Sequence, residues 1–146
     1  MRRTLLFILI SVSFIACKKE WKGEGDEEIL SITVDGYDRE YRVYTPPSYD
    51  GTEAYPVIFT LHGRGGTARS MDKFSGMNPV ADDQDFIVVY PQGYGRSWHD
   101  DRNYGPANDE GIDDIKFFNE LLDQIISDYA VDTNKVYACG MSNGGF

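Results

Sequence analysis

The sequence predicts an α/β domain with a mostly parallel sheet and helices on both faces. Three short apolar runs of strand length, at residues 57–61, 86–90 and 135–139, alternate with two segments of helical character, at 68–84 and 112–126. The composition agrees, because 41% of the 146 residues are hydrophobic and 26% are charged, as in folded globular proteins. Functional sites on such folds lie at the carboxyl ends of the parallel strands.

The first 28 residues are predicted to be an export signal and a tether. Residues 1–16 combine a basic start at Arg2 with an apolar run of about a dozen residues, which suits a secretory signal and is too short to span a bilayer. The run ends in F-I-A-C, which resembles the lipobox of bacterial lipoproteins and makes Cys17 the predicted lipid attachment site. Secretion without lipid and a buried N-terminal element are the alternatives. Residues 17–28 are charged and contain two glycines, which predicts a tether that holds the domain off a membrane.

The folded domain, residues 29–146, is predicted to begin with a β-hairpin. Residues 29–34 and 39–45 are rich in β-forming residues and flank Asp35-Gly36, a dipeptide typical of tight hairpin turns. The hairpin therefore precedes the alternating strands and helices.

The first strand–loop–helix unit follows the hairpin. The run at 57–61 is nearly all apolar, which is typical of a strand buried on both faces. It ends at H-G-R-G-G, residues 62–66, where three glycines favour a loop. Residues 68–84 are predicted to be helical in one or two pieces, with breaks near Gly76 and Pro79.

The second unit contains a long loop, predicted at residues 92–111. Apolar residues then recur at helical spacing over 112–126, with Asp113 and Asp114 in the first turn, where carboxylates favour the helix dipole. Cys139 falls inside the third strand, which is predicted to be buried, so it is interpreted as a small core residue.

The strongest chemical signal is G-M-S-N-G at residues 140–144, directly after the third strand. A turn from strand into helix must be very tight to lift one hydroxyl above the sheet, and flanking glycines remove the side chains that would collide there. Ser142 is therefore the candidate nucleophile. A plain glycine-rich turn with no catalytic serine is the structural alternative.

Acyl transfer at Ser142 would need two hydrogen-bond donors for the oxyanion that forms on the substrate. The backbone N–H of Asn143 can supply one from the start of the following helix, where the dipole helps. The second is expected from loop 62–66, at Arg64, with Gly65 as the alternative. His62 is predicted to brace this loop by hydrogen bonds rather than to act as a base.

Charge and composition exclude several functional classes. The formal net charge is −10, which argues against a nucleic-acid partner. Two cysteines and two histidines cannot form a disulfide framework or a zinc site. The acidic residues between 100 and 114 fit no EF-hand spacing and are interpreted as a solvated surface, so no metal is predicted.

Five motifs occur along the chain in the same order as in a known enzyme family. The chain resembles the polyhydroxybutyrate depolymerase and feruloyl or acetylxylan esterase group of α/β-hydrolases. The motifs are H-G-R-G-G at 62–66, V-V-Y-P at 88–91, S-W-H-D at 97–100, G-I-D-D at 111–114 and G-M-S-N-G-G at 140–145. The resemblance implies an α/β-hydrolase fold and an exported serine esterase that needs no cofactor. It also implies a substrate that is a polyester or carries acyl or feruloyl groups on polysaccharide.

The order of the triad leads to an expectation about the end of the chain. In α/β-hydrolases the acid and the histidine follow the serine, whereas residues 143–146 are N-G-G-F. The acid and base are therefore expected beyond residue 146, and the chain, truncated after this turn, is expected to fold poorly and be inactive. His99 precedes Ser142, so as a base it would break the usual chain order.

Aromatic residues in the long loop supply a predicted substrate surface. Trp98 and His99 are predicted to contact substrate, and Tyr94 and Tyr104 lie in the same loop. The alternative is that these rings pack the loop onto the domain. Two other functions also stay open: a peptidase or other acyl hydrolase on the same fold, and an inactive surface lipoprotein that binds glycan through this loop.

Overall fold

The computed structural model describes residues 23–102 and 104–146, which form a five-stranded sheet in the order β1-β2-β4-β3-β5. The β1–β2 and β2–β4 pairs are antiparallel, whereas β3 pairs in parallel with both β4 and β5. The strands are β1 Asp26–Val34, β2 Tyr37–Thr45, β3 Tyr55–Leu61, β4 Ile87–Pro91 and β5 Val131–Gly140. The predicted fold class is confirmed.

The predicted hairpin is present and its turn has the expected backbone. Asp35 and Gly36 have φ values of 51° and 83°, so both adopt the left-handed conformation. A type I′ turn requires positive φ at both central residues, and its twist matches that of the two strands. The turn therefore fixes the register in which Val34 faces Tyr37.

The predicted boundary of the tether, 17–28, is wrong at its C-terminal end. Asp26 opens β1 and pairs with Thr45, and the preceding Gly25 donates its N–H to the Tyr44 hydroxyl at 2.7 Å. Strand pairing uses the backbone, so a charged segment without apolar periodicity can still form an edge strand. Residues 1–22, with the predicted signal peptide and Cys17, lie outside the described residues.

Four helices connect and cover the strands. They are α1 Ala68–Ser75, α2 Met77–Gln84, α3 Pro106–Glu110 and α4 Asp114–Asp128, with 3₁₀ turns at Tyr94–Arg96 and Ser142–Gly145. The predicted break at Gly76 is confirmed, since this residue has φ 64° and separates α1 from α2. Pro79 does not break the helix, because it lies in the first turn of α2, where a missing N–H costs no hydrogen bond.

Helices pack on both faces of the sheet, as predicted, and each face has its own core. One core, with α1 and α2, consists of Tyr44, Ala68, Met71, Ala81, Phe86, Val88 and Tyr90. The other, with α4, includes Tyr41, Val43, Val57, Phe59, Ile87, Val89, Phe117, Leu121 and Ile125. Consecutive residues of β4 alternate between the two cores, because side chains along a strand point to opposite faces.

The buried stripe of α4 is narrower than the predicted one. Phe117, Leu121 and Ile125 are fully buried at spacings of four residues. Ile115, predicted to share this face, is 73% exposed, because it lies two positions from Phe117 and therefore on another side of the helix. Ile112 is buried but precedes the helix.

Among the described residues β5 is exposed, where the sequence predicts a buried strand. This strand pairs only with β3 among the described residues, and most of its residues are exposed. Cys139 is accordingly exposed rather than part of the core. Across residues 23–102 and 104–146, no helix has the length and apolar character needed to cross a membrane.

Candidate active site

The candidate nucleophile lies in a sharp turn at the end of β5, which we call elbow 140–145. Ser142 has φ 52°, a left-handed conformation that costs a non-glycine residue about 1–2 kcal/mol. The turn is held by backbone bonds: Met141 donates its N–H to the Leu61 carbonyl at 3.1 Å, and Gly144 donates to the Met141 carbonyl at 3.0 Å. Strain at one residue, fixed by its surroundings, is typical of functional sites.

Two glycines of the motif are required by close backbone contacts. A Cβ atom at Gly140 would lie 2.0 Å from the Gly144 carbonyl oxygen. A Cβ atom at Gly144 would lie 2.5 Å from the carbonyl oxygen of His62. The steric role predicted for the flanking glycines is therefore confirmed, and the second contact joins elbow 140–145 to loop 62–66.

His62 braces loop 62–66, as predicted. Its ring is buried, with Nδ1–H donated to the Gly63 carbonyl at 2.8 Å and Nε2 accepting the Gly93 N–H at 3.0 Å. Burial lowers the pKa of His62 from its ordinary value, which favours the neutral ring. Because backbone groups bind both ring nitrogens, His62 cannot also serve as the base for Ser142.

A hydrogen bond from loop 62–66 to Arg96 distinguishes the two residues predicted to donate an N–H to the oxyanion. Gly65, the alternative, donates its N–H to the Arg96 carbonyl at 2.8 Å, so this N–H is already used. The Arg64 N–H therefore remains the candidate from this pair. The loop adjoins the nucleophile, because a Cβ atom on Gly63 would lie 3.5 Å from the Ser142 Cβ.

The side chain of Asn143 is buried and binds the long loop. Its Oδ1 accepts the Trp98 N–H at 2.8 Å, and its Nδ2 donates to the Trp98 carbonyl at 3.0 Å. Nδ2 also donates to the Asp100 carboxylate at 2.6 Å. The elbow thus positions the long loop through the side chain of Asn143. The backbone N–H of the same residue is the predicted oxyanion donor.

Trp98 is a packing residue, which corrects its predicted role in substrate contact. It is only 3% exposed, its Nε1–H donates to the His62 carbonyl at 2.7 Å, and its ring lies 5.0 Å from His62 and 5.4 Å from Phe118. The ring is therefore enclosed by the domain and presents no face to a ligand. The packing alternative holds for this residue.

His99 lies in the long loop, and its side chain is partly exposed. Its backbone N–H donates to Asp114 Oδ2 and its Nδ1–H donates to the Ile112 carbonyl, each at 2.7 Å. Its Nε2 lies 3.5 Å from Asp101 Oδ1. The ring orientation is therefore fixed by the start of α4, while one edge stays open to solvent.

Two carboxylates near the site are buried, although the sequence interpretation placed them on a solvated surface. Asp114 pairs with the equally buried Arg39 at 2.7 Å. The Asp100 side chain is 1% exposed, and hydrogen bonds from Arg102 and then Asn143 hold the pKa of this carboxyl well below its usual range. Both anchor the loop, so Asp114 does more than interact with the helix dipole, the role predicted for it.

An exposed aromatic ring lies on the outer side of the loop. Tyr104 is 67% exposed, and the Arg64 guanidinium lies 4.0 Å from the centre of its ring. Tyr94 instead packs edge-on against Tyr37 at 5.1 Å. Of the tyrosines predicted at this edge, Tyr104 therefore offers the more open ring.

The described residues supply the candidate nucleophile and the candidate donors but no acid or base in hydrogen-bond contact with the Ser142 hydroxyl. Within residues 23–102 and 104–146, no histidine or carboxylate forms a hydrogen bond with Ser142 Oγ. An open cleft beside the hairpin contains none of the predicted site residues. It is lined by Val34, Asp35, Tyr37, Arg39, Gly111, Ile112 and Asp113.

Comparison with known proteins gives consistent results. Residues 33–146 match the Esterase family. The chain is 25% identical to feruloyl esterase D of Neurospora crassa, covering 97% of this chain and 51% of that protein. It is 30% identical to the bifunctional acetylxylan esterase/xylanase XynS20E of Neocallimastix patriciarum, covering 75% of this chain and 15% of that protein.

Solved structures agree on the fold. A ferulic acid esterase from Anaeromyces mucronatus superposes with a TM-score of 0.63 at 21% identity, covering 82% of this chain and 50% of that one. At this level of identity the similarity concerns the fold. The chain spans about half the length, or less, of these three proteins.

Proposed function

The chain belongs to the Esterase family of α/β-hydrolases, and from this premise we propose that the protein hydrolyses carboxylic esters with Ser142 as nucleophile. One observation carries the proposal: Ser142 is held at φ 52° between glycines that admit no Cβ, at the carboxyl end of a parallel strand. A strained serine in this turn is the expected geometry of a nucleophile elbow.

The proposed reaction has two halves. Ser142 Oγ attacks the ester carbonyl carbon while its proton passes to a general base, and the carbonyl electrons move onto oxygen. The N–H groups of Arg64 and Asn143 stabilise this oxyanion, which collapses and expels the alcohol with a proton from the base. Water then attacks the acyl-enzyme by the same steps, which releases the acid and restores the serine.

The general base and its acid partner are proposed to follow Ser142 in the chain order of the fold. Two observations on the described histidines support this proposal. Backbone groups engage both ring nitrogens of His62, and His99 donates Nδ1–H to a carbonyl while its Nε2 faces Asp101. No cofactor takes part in the proposed reaction.

Esters attached to plant polysaccharide are the proposed substrates, with polyester as the other predicted class. The names of the relatives support this choice, since they are a feruloyl esterase and an acetylxylan esterase/xylanase. His99 and Tyr104, each open to solvent on the same loop, are proposed to contact the substrate. The glycan-binding alternative loses its main support, because Trp98 is buried.

Export is proposed from residues 1–16, with lipid attachment at Cys17 and a tether that ends before β1 opens at Asp26. The membrane would then be a partner through a lipid anchor. Replacing Cys17 by Ala should release the protein from the membrane fraction and leave ester hydrolysis unchanged, as fractionation of expressing cells can show.

The test of the activity compares the intact protein with its Ser142→Ala variant on p-nitrophenyl acetate, methyl ferulate, acetylated xylan and peptide anilides. We expect ester turnover that falls by about 10³-fold or more in the variant, because it lacks the hydroxyl that is proposed to form the acyl intermediate. Equal rates in the two proteins would contradict the proposal. Turnover of the anilides alone would favour the peptidase alternative.

A further inference from the structure

The segment 98–100 (Trp98, His99 and Asp100) contacts both halves of the proposed oxyanion site. Trp98 donates its Nε1–H to the His62 carbonyl at 2.7 Å, at the start of the loop that carries Arg64. The backbone N–H and carbonyl of the same residue bind the amide of Asn143 at 2.8 and 3.0 Å. One buried residue therefore joins the loop that carries the first donor to the elbow that carries the second.

Asp100 makes this contact selective for an amide at position 143. Asn143 Nδ2 donates to Asp100 Oδ2 at 2.6 Å, and the Arg102 guanidinium donates to the same oxygen from Nε at 2.9 Å. Arg64 lies 3.9 Å from that oxygen and Asn108 donates to the other one at 3.3 Å. A carboxylate held between two guanidinium groups stays ionised and can only accept hydrogen bonds, so its partner must be a donor.

The middle of the segment is anchored from the opposite side. The His99 N–H donates to Asp114 Oδ2 at 2.7 Å, and the other oxygen of that carboxylate pairs with Arg39 at 2.7 Å. Both partners of this ion pair are buried. All three residues of the segment are thus fixed by side chains or backbone of other elements.

We propose that segment 98–100 sets the spacing and orientation of the two oxyanion donors, with Asn143 and Asp100 as positioning residues. This inference rests on the proposed ester hydrolysis at Ser142. The amide and the backbone N–H of Asn143 share one Cα atom, so clamping the amide also restrains the direction of the N–H. Oxyanion stabilisation depends on donors already aimed at the developing charge, and a displacement of about 1 Å is costly.

The first test replaces the amide group of Asn143 that donates to Asp100. Asn143→Asp keeps the side-chain shape but places a second carboxylate against Asp100. At pH 8 we expect kcat on a p-nitrophenyl ester to fall about 10- to 100-fold, with KM changed less than about twofold, because the donors stabilise the transition state more than the bound substrate. Asn119→Asp, at an exposed position on α4, is the matched control and should equal the parent.

The pH dependence separates positioning from a general structural defect. Two carboxylates in hydrogen-bond contact cannot both stay ionised, and Arg64 and Arg102 favour ionisation of Asp100, so the new carboxyl at position 143 takes the proton. Once protonated it can donate to Asp100. The ratio of the Asn143→Asp variant's kcat to that of the parent should therefore rise from pH 8 to pH 5, whereas the ratio for the Asn119→Asp control should stay constant.

Three outcomes overturn the inference. If the parent is active, Ser142→Ala is inactive and Asn143→Asp equals the parent, esterase function stands and the positioning role is wrong. If Asn143→Asp loses the same share of activity at every pH, in parallel with its cooperative thermal unfolding, the contact is merely structural. If the parent and Ser142→Ala hydrolyse esters at equal rates, the proposed function fails and the inference fails with it.

Discussion

Two regions meet at Ser142, and they are held in place by different kinds of contacts. Elbow 140–145 and loop 62–66 are shaped by backbone, with glycines packed directly against carbonyl oxygens. Segment 98–100 of the long loop is held instead by buried side chains that reach it from the elbow and from α4. We infer that elbow 140–145 is sensitive to an added Cβ atom, whereas segment 98–100 is sensitive to a change of charge.

The largest expected effect comes from replacing a glycine of the elbow by alanine, and the same substitution in the long loop is its control. Gly140→Ala would place a Cβ atom 2.0 Å from the Gly144 carbonyl oxygen, so the elbow must shift. We expect kcat/KM of the intact protein for a p-nitrophenyl ester to fall about 100-fold or more, because the nucleophile and one oxyanion donor move together.

Gly111→Ala is the matched control in the long loop. Its φ is 66°, but a Cβ atom there meets open space. The expected cost is about 1–2 kcal/mol of unfolding free energy, from the left-handed conformation alone, with kcat/KM unchanged. If the two alanine variants lost activity equally, the contrast between the regions would be wrong.

The next effect, on stability, concerns the ion pair that anchors the long loop. Asp114→Ala leaves the buried Arg39 without its carboxylate and removes the acceptor of the His99 N–H. Removing one partner of a buried pair costs about 3–5 kcal/mol, so the urea midpoint should drop well below that of the parent. Asp109→Ala, at an exposed position in α3, should shift the midpoint little. Equal midpoints for the two variants would refute the anchoring role of Asp114.

The smallest effect is a difference in acid sensitivity between the regions. The pKa of folded His62 is lowered by burial, so the unfolded chain binds the proton first and stability is lost as pH falls below about 6.5. The pKa of folded Asp100 is also lowered, here by its hydrogen bond from Arg102, so its contribution is retained until pH falls below about 3.8. Urea midpoints measured from pH 8 to 3 should decline in two stages, and His62→Gln should flatten the upper one. An unchanged upper stage in that variant would contradict the assignment.

The backbone-shaped region could be predicted from sequence because its constraint is local. Glycines at 140 and 144, a serine between them and an apolar strand before them specify a tight turn without knowledge of the rest of the chain. The same holds for the hairpin turn at Asp35 and Gly36, where two neighbouring residues fix the backbone.

The side-chain-held region could not be predicted in the same way, because its partners are distant in sequence. Arg39 and Asp114 are 75 residues apart, yet the sequence pattern around each of them indicates that it faces the core. Arg39 continues the inward alternation of Tyr41 and Val43 in β2, and Asp114 continues the buried stripe of Phe117 and Leu121 in α4. A charged residue in register with a buried face predicts a buried pair.

The position of β5 needed the structure for a different reason. An apolar run indicates that a strand prefers burial, but the neighbours that cover it are set by sheet order. β5 has one strand partner among the described residues, and this explains the exposure of Cys139.

Direct capture of the acyl-enzyme tests the role of Ser142 most directly. The intact protein would be mixed with an excess of p-nitrophenyl acetate, quenched in acid within milliseconds, digested and analysed by peptide mass spectrometry. We expect one acetyl group on the peptide that contains Ser142, formed at the rate of the p-nitrophenol burst and absent from Ser142→Ala. Turnover with no acetyl group at Ser142, or with the acetyl group on another residue, would contradict the proposed mechanism.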